Sequence, residues 1–175
     1  MAFPMIEPNV PDIPALEGAF RKVEARMRGL PVFNPALQVV AAGFRPWQGL
    51  WLGIMITPWA INLVLLPGGN PDWQALGVDE HRVWRFPSGE HAFMGMNLEG
   101  FGPLQFCSLF SPALEFQSQD AAVAAARAAL ESLMTQYDAP TPSAPPAPPS
   151  AEESVPLAER SVTRRNFLRG RLFGR

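Results

Sequence analysis

The chain contains one cysteine, Cys107, and two histidines, His81 and His91. A single thiol excludes an intramolecular disulfide and any cysteine-cluster metal site, and it suits a reducing cytoplasm. The histidines lack H-x-x-x-H spacing. Asp79-Glu80-His81 and Glu90-His91 read more simply as solvated strand or turn ends than as ligands. There is no C-x-x-C, and so no rubredoxin-type iron site, and no G-x-S-x-G, P-loop or G-x-G-x-x-G. No cofactor and no metal are expected. The start, Met1-Ala2-Phe3-Pro4, has neither a basic nor an apolar signal region, so no secretory signal is expected. Charge is also missing from a long internal stretch: no ionisable side chain lies between Arg45 and Asp72.

That uncharged stretch is rich in tryptophan and aliphatic residues, from Gly49-Leu50-Trp51-Leu52-Gly53 through Thr57-Pro58-Trp59 to Pro67-Gly68 and Trp73. Apart from Thr57 it offers no group for acid–base or nucleophilic work, so it builds a core or a binding surface. Leu50 to Leu66 approaches the length of a membrane span. Thr57-Pro58 at its centre and Asn62 beyond argue for buried strands, and no stable membrane insertion is expected.

The 175 residues suffice for one domain with a core. Net charge is −2, but residues 158–175 hold six arginines against Glu159, a net of +5, which leaves −7 for residues 1–157. An acidic body argues against a nucleic-acid partner, whose affinity comes largely from phosphate neutralisation.

Four segments follow from the composition. Residues 1–13 read as an extended arm and 14–138 as the folded domain. Residues 139–157 form a Pro/Ala/Ser-rich linker, expected to be extended and mobile, and 158–175 a basic tail. Within the domain, Leu16, Phe20, Val23 and Met27 mark a helix over Pro14–Arg28, with Gly29 as its stop. Short apolar runs at 37–43, 49–56 and 59–66, split by Pro46, Pro58 and Pro67-Gly68, predict strands. Arg82–Phe86, Ala92–Leu98 and Leu104–Phe110 add three more. Ser118 caps a second helix, Ser118–Tyr137, lined by Val123, Ala126, Leu130, Leu133 or Met134, and Tyr137. Two helices bracketing antiparallel strands predict an α+β two-layer sandwich.

The uncharged stretch also carries a likeness. G-x-W-x-G-x-x-I-T-P-W at Gly49–Trp59, a following Pro67-Gly68, and Trp73 resemble the HybE family of [NiFe]-hydrogenase assembly chaperones. Cys107-Ser108-Leu109-Phe110-Ser111-Pro112-Ala113-Leu114 is similar to that family's C-S-L-x-S-P-L. The likeness runs from about Leu16 to about Tyr137 and implies an α+β domain. It further implies a cytoplasmic, non-enzymatic chaperone that holds an immature hydrogenase subunit until maturation is complete. The expected client is the small subunit with its twin-arginine signal, and the large subunit remains open.

Candidate partner-binding residues are Trp47, Trp51, Thr57, Pro58, Trp59, Pro67, Gly68, Trp73, Glu80, Glu90, Cys107, Ser108, Ser111 and Pro112. Each has a plainer reading. The tryptophans are either core residues or an aromatic-lined groove. Cys107 is either a buried small hydrophobe or a position of interest through the likeness alone. Asp72, Asp79, Glu80, Glu90 and Glu99 are the carboxylates available to a signal's arginine pair, which favours bidentate carboxylate bonds.

The tail repeats a motif. Thr163-Arg164-Arg165-Asn166-Phe167-Leu168-Arg169 looks like the twin-arginine export motif S/T-R-R-x-F-L-K, but no apolar run follows it. It is read either as a pseudo-ligand formed by Thr163, Arg164, Arg165, Phe167 and Leu168, or as a solvated basic end. The alternative function is a peripheral membrane-associated scaffold that docks this tail to lipid.

Overall fold

The computed structural model describes residues 9–136. The elements are α1 (Ile13–Met27), β1 (Val40–Trp47), β2 (Leu50–Ile56), β3 (Ile61–Leu66), β4 (His81–Phe86), β5 (Gly89–Leu98), β6 (Gly102–Phe110) and α2 (Gln119–Leu133). The strands form one sheet in the order β1-β2-β3-β6-β5-β4, and every neighbouring pair is antiparallel. The expected α+β domain, strands bracketed by two helices, is what the chain builds.

Local chemistry sets the boundaries. Asp12 caps α1 by accepting from the Ala15 N–H at 2.9 Å, with proline in the first turn. Ser118 caps α2 through the Ala121 N–H at 3.2 Å, as expected. This helix ends at Leu133, a turn short of Tyr137, which lies outside the described residues. β1 and β2 are joined by Gln48-Gly49, whose φ values of 48° and 72° fit a two-residue hairpin turn with both centres left-handed.

One expectation is corrected. The first strand does not stop before Pro46 but runs from Val40 through Pro46 to Trp47. It is an edge strand, paired only to β2. Trp47↔Leu50 closes the hairpin, so Pro46, one step along, turns its nitrogen outward, where no ladder bond is lost. The register slips between Ala42 and Arg45, a bulge at Gly43 and Phe44. Gly43 has φ 66°, and a Cβ there would meet Leu130 of α2 at 2.8 Å.

The sheet separates two cores. On one face, Leu50, Leu52, Ile54, Ile56, Ile61, Leu63 and Leu65 pack with Ala122, Ala126, Leu130 and Leu133 of α2. On the other, Met55, Val64, Leu66 and Leu104 pack with Leu16, Ala19 and Phe20 of α1. The helices therefore lie on opposite faces, and the expected two layers become helix, sheet, helix. Alternation explains this: β2 and β3 are apolar at odd and even positions alike, so both of their faces need cover. Each fully buried Leu or Ile contributes about 1.5–3 kcal/mol of burial.

Candidate partner-binding surface

The two faces are not covered equally. On the α2 face, residues 67–80 continue where the helix stops. The Leu76 carbonyl rests directly on Gly95, which has no side chain to push it off. Gln105, fully buried in β6, fixes the same segment: its Nε2 donates to the Gln74 carbonyl at 2.9 Å. Its Oε1 accepts from Trp84 Nε1 at 2.7 Å. Arg82 lies 4.6 Å over the Trp84 ring and donates to the Asp72 carbonyl. Trp47, Trp84, Phe86 and Phe93 complete an aromatic cluster there.

On the α1 face the cover reaches Leu104 of β6 and Leu98 of β5 at one end of the strands and is lost toward the other. Register carries the row Val64–Phe106–Met94–His81 from β3 across β6 and β5 to β4. Along it exposure rises from 0% at Val64, through half-buried Phe106, to 46% at Met94. Asn62 pairs with Ser108, and beyond the last β5–β6 partners Ala92 pairs with Val83, which is 51% exposed. The burial patterns show the same thing: β3 is buried at every position, whereas β4 alternates exposed and buried. A corner of this sheet face is thus left open, floored by Phe106, Met94, Ala92 and Val83. An ion pair between Arg85 and Glu90 at 2.6 Å stands at one corner.

The residues expected from sequence do not converge on one place. Trp47, Trp73 and Cys107 belong to the covered core on the α2 face. Trp51 and Trp59 are half-buried against the α1-face core. Trp51 pairs with Leu66 and buries an indole N–H without a partner among the described residues. Thr57 is fully buried; its hydroxyl donates to the Ala60 carbonyl at 2.7 Å and accepts from the Ala60 N–H at 3.0 Å. Pro58 is buried and its carbonyl accepts from the Asn34 N–H at 2.7 Å. The Thr57–Ala60 turn is therefore a structural knot: Trp59 also accepts from the Ala113 N–H, and Asn34 Nδ2 donates to the Ala113 and Phe116 carbonyls at 2.9 and 2.7 Å.

The remaining candidates are superficial. Pro67 is exposed and lines a cleft of about 350 Å3 with Val10, Asp12, Leu66 and Phe101 at the start of α1. Gly68 sits against the Gly49 carbonyl. Glu80 accepts from the Gly77 N–H at 2.7 Å, a local turn bond, and Glu90 holds Arg85. Ser111 and Pro112 are exposed, and Ser108 donates to Asn62 Oδ1 at 2.9 Å on the half-open face. Burial pushes the Cys107 thiol above the ordinary range, so it stays protonated at neutral pH. Thr163, Arg164, Arg165, Phe167 and Leu168 lie outside the described residues, as do the linker and residues 1–8.

Sequence reasoning missed Gln105, Trp84 and Met94. A glutamine inside the apolar run Leu104-Gln105-Phe106 was the available signal, since a buried amide needs partners. Met94 carried none, because exposure of an apolar residue depends on what covers its face.

Among the described residues no helix is long and apolar enough to cross a membrane. A family model described as "[NiFe]-hydrogenase assembly, chaperone, HybE" matches residues 12–170. The chain is 41% identical over 161 residues to the hydrogenase expression/formation protein HupJ of Bradyrhizobium diazoefficiens, which covers 90% of this chain and 86% of that one. It is 39% identical over 168 residues to the protein HoxT of Cupriavidus necator, 89% of this chain and 87% of that one. The solution structure of HybE from Escherichia coli matches with a TM-score of 0.58 at 24% identity, over 90% of this chain and 98% of that chain. That last likeness speaks for the fold. The chain belongs to the HybE family of [NiFe]-hydrogenase assembly chaperones. Its work is assembly of another protein and not catalysis.

Proposed function

We propose that the protein holds an immature [NiFe]-hydrogenase subunit in the cytoplasm, the small subunit with its twin-arginine signal, before export. One observation carries the reading: a hydrogenase assembly chaperone leaves an apolar corner of one sheet face uncovered, at Phe106, Met94 and Val83. A methionine-bearing floor suits a client that is not yet folded, because thioether side chains repack at little cost. The signal's Phe-Leu pair lies on this floor. Its arginine pair meets exposed carboxylate at the rim, where Glu90 stands at the corner of the floor beside Arg85.

The test is co-purification from cells that express the hydrogenase. Met94→Glu places a charge on the open floor without touching either core. The variant is expected to melt like the parent and to lose the immature subunit. Retention of the subunit by a folded Met94→Glu variant defeats this surface. Recovery of the large subunit alone redirects the proposal to that client.

A further inference from the structure

The two edges of the sheet are built differently, and the difference indicates how a client is gripped. β1 is blunted in three ways. The bulge at Gly43 and Phe44 breaks its register, Pro46 has no N–H, and the Ala41 N–H is taken by Glu17 Oε1 at 2.9 Å. These are common means of keeping a sheet edge from pairing with another chain. β4 has none of them. Its register with β5 is unbroken from His81↔Met94 to Phe86↔Gly89, and it contains no proline.

The direction of its free groups follows from the hairpin. β4 and β5 are joined by the two residues Pro87-Ser88, so Phe86 and Gly89 form the closing hydrogen-bonded pair. Alternation then turns the N–H and C=O of Arg85, Val83 and His81 away from β5. Among the described residues, none of these groups finds a partner elsewhere in the protein. The same three residues pair with Glu90, Ala92 and Met94, all exposed, and so stand at the open corner of the sheet face. A free backbone ladder and an uncovered apolar floor thus meet along one line.

We propose that the outer edge of β4 is a strand-addition site that takes an extended segment of the immature polypeptide. The proposal rests on the client-holding reading above. Strand addition of this kind draws affinity from main-chain bonds and specificity from alternate side chains. The segment is about six residues long, to match β4. It carries a central apolar residue to lie against Val83 and Met94, flanked by neutral or acidic residues toward His81 and Arg85. The basic arginine pair of an export signal does not suit this edge, so the edge takes a different stretch of the client. A second copy of the chain, paired antiparallel about Val83, is the rival occupant, and the test below separates the two.

Val83→Pro is the direct test on the full chain. It deletes an outward N–H while leaving the β4–β5 ladder intact, so the variant is expected to fold. Val83→Thr keeps the N–H and serves as the control. Binding is measured with the unprocessed small and large subunits in turn. Val83→Pro is expected to weaken binding by roughly tenfold or more, the equivalent of about 1.4 kcal/mol, and Val83→Thr to leave it nearly unchanged. In parallel, bound subunit is expected to slow hydrogen exchange at the Val83 and Arg85 amides of the parent; this measurement decides the matter if Val83→Pro does not fold. Equal binding by parent and a folded Val83→Pro, or no slowing at those amides, overturns strand addition and leaves the client reading standing. A parent that retains neither subunit ends the client reading and this inference with it. A parent dimer that Val83→Pro converts to monomer shows that the edge holds a second copy, and overturns the client as occupant.

Discussion

Trp47 stacks on Phe86 with ring centroids 4.2 Å apart and planes 12° from parallel, although the two residues end opposite edge strands, β1 and β4. Six strands laid flat would hold those edges about 24 Å apart at the usual strand spacing. The sheet therefore curls toward the α2 face until its margins touch through side chains. The Trp84 ring joins edge-on to Trp47 at 6.0 Å, so the contact is an aromatic clasp across the mouth of the curl.

The clasp has a measurable worth. Trp47→Ala removes a buried ring that meets both Phe86 and Trp84. The expected loss is about 3–5 kcal/mol, as for other buried aromatic truncations. Urea unfolding followed by far-UV circular dichroism reads it directly. A loss below about 1 kcal/mol shows that the curl is held by the strands alone.

Gln105 is expected to matter nearly as much without being apolar. Gln105→Leu keeps the approximate volume but strands the Trp84 Nε1–H and the Gln74 carbonyl. An unsatisfied buried polar group costs about 1–3 kcal/mol. The substitution should also free residues 67–80, seen as faster proteolysis within that segment. Unchanged stability and cleavage would mean that Leu76 on Gly95 is anchor enough.

Cys107 should be slow to alkylate. Its raised pKa stems from burial, and the reactive species is the thiolate. Iodoacetamide at pH 7.5 is expected to label the native protein far more slowly than the urea-unfolded chain. The sign for stability follows: a folded-state pKa above the unfolded one leaves its contribution intact below the unfolded thiol pKa. That contribution is lost as pH rises through the folded value. Cys107→Ala should accordingly flatten the alkaline end of the stability profile. Rapid native labelling contradicts a sheltered thiol.

The tail makes a sequence-based prediction, since residues 158–175 lie outside the described residues. If Thr163–Leu168 competes with a client's signal, deleting 139–175 tightens binding of a twin-arginine peptide. A linked motif acts at about millimolar effective concentration, enough to weaken a rival measurably. Arg164→Lys with Arg165→Lys should act in the same direction, because lysine lacks the planar fork. Titration calorimetry with full-length and shortened protein separates the outcomes. Weaker binding after deletion makes the tail a second contact to the client, and flotation of the tail peptide with anionic vesicles supports the lipid-docking alternative.

Much of the fold was legible from local chemistry. Ser118 announced the second helix because a hydroxyl before an apolar-periodic run satisfies an otherwise free amide. The strands of the uncharged stretch were legible because prolines and glycines punctuate them. Pro46 misled because a proline ends a strand only where its missing N–H is needed, and that depends on whether the strand lies at an edge. Trp51 and Trp59 were read as either core residues or part of an aromatic-lined groove. The structure sets both half-buried against the same core.

The sequence by itself determined the α+β class, the presence of apolar central strands and, apart from the extent of β1, the secondary structure, because these depend on neighbours within a few residues. It also carried the family motifs at Gly49–Trp59 and Cys107–Pro112. Only the tertiary structure decided which part of which face stays open. Met94 and Phe93 are adjacent and similarly apolar, yet Phe93 is fully buried and Met94 is 46% exposed. Their side chains point to opposite faces, and residues 67–80 cover one of those faces while the α1-side core stops short of Met94 on the other. Cover of that kind is a long-range property, set by strand order and by where each helix lands, and no local pattern encodes it.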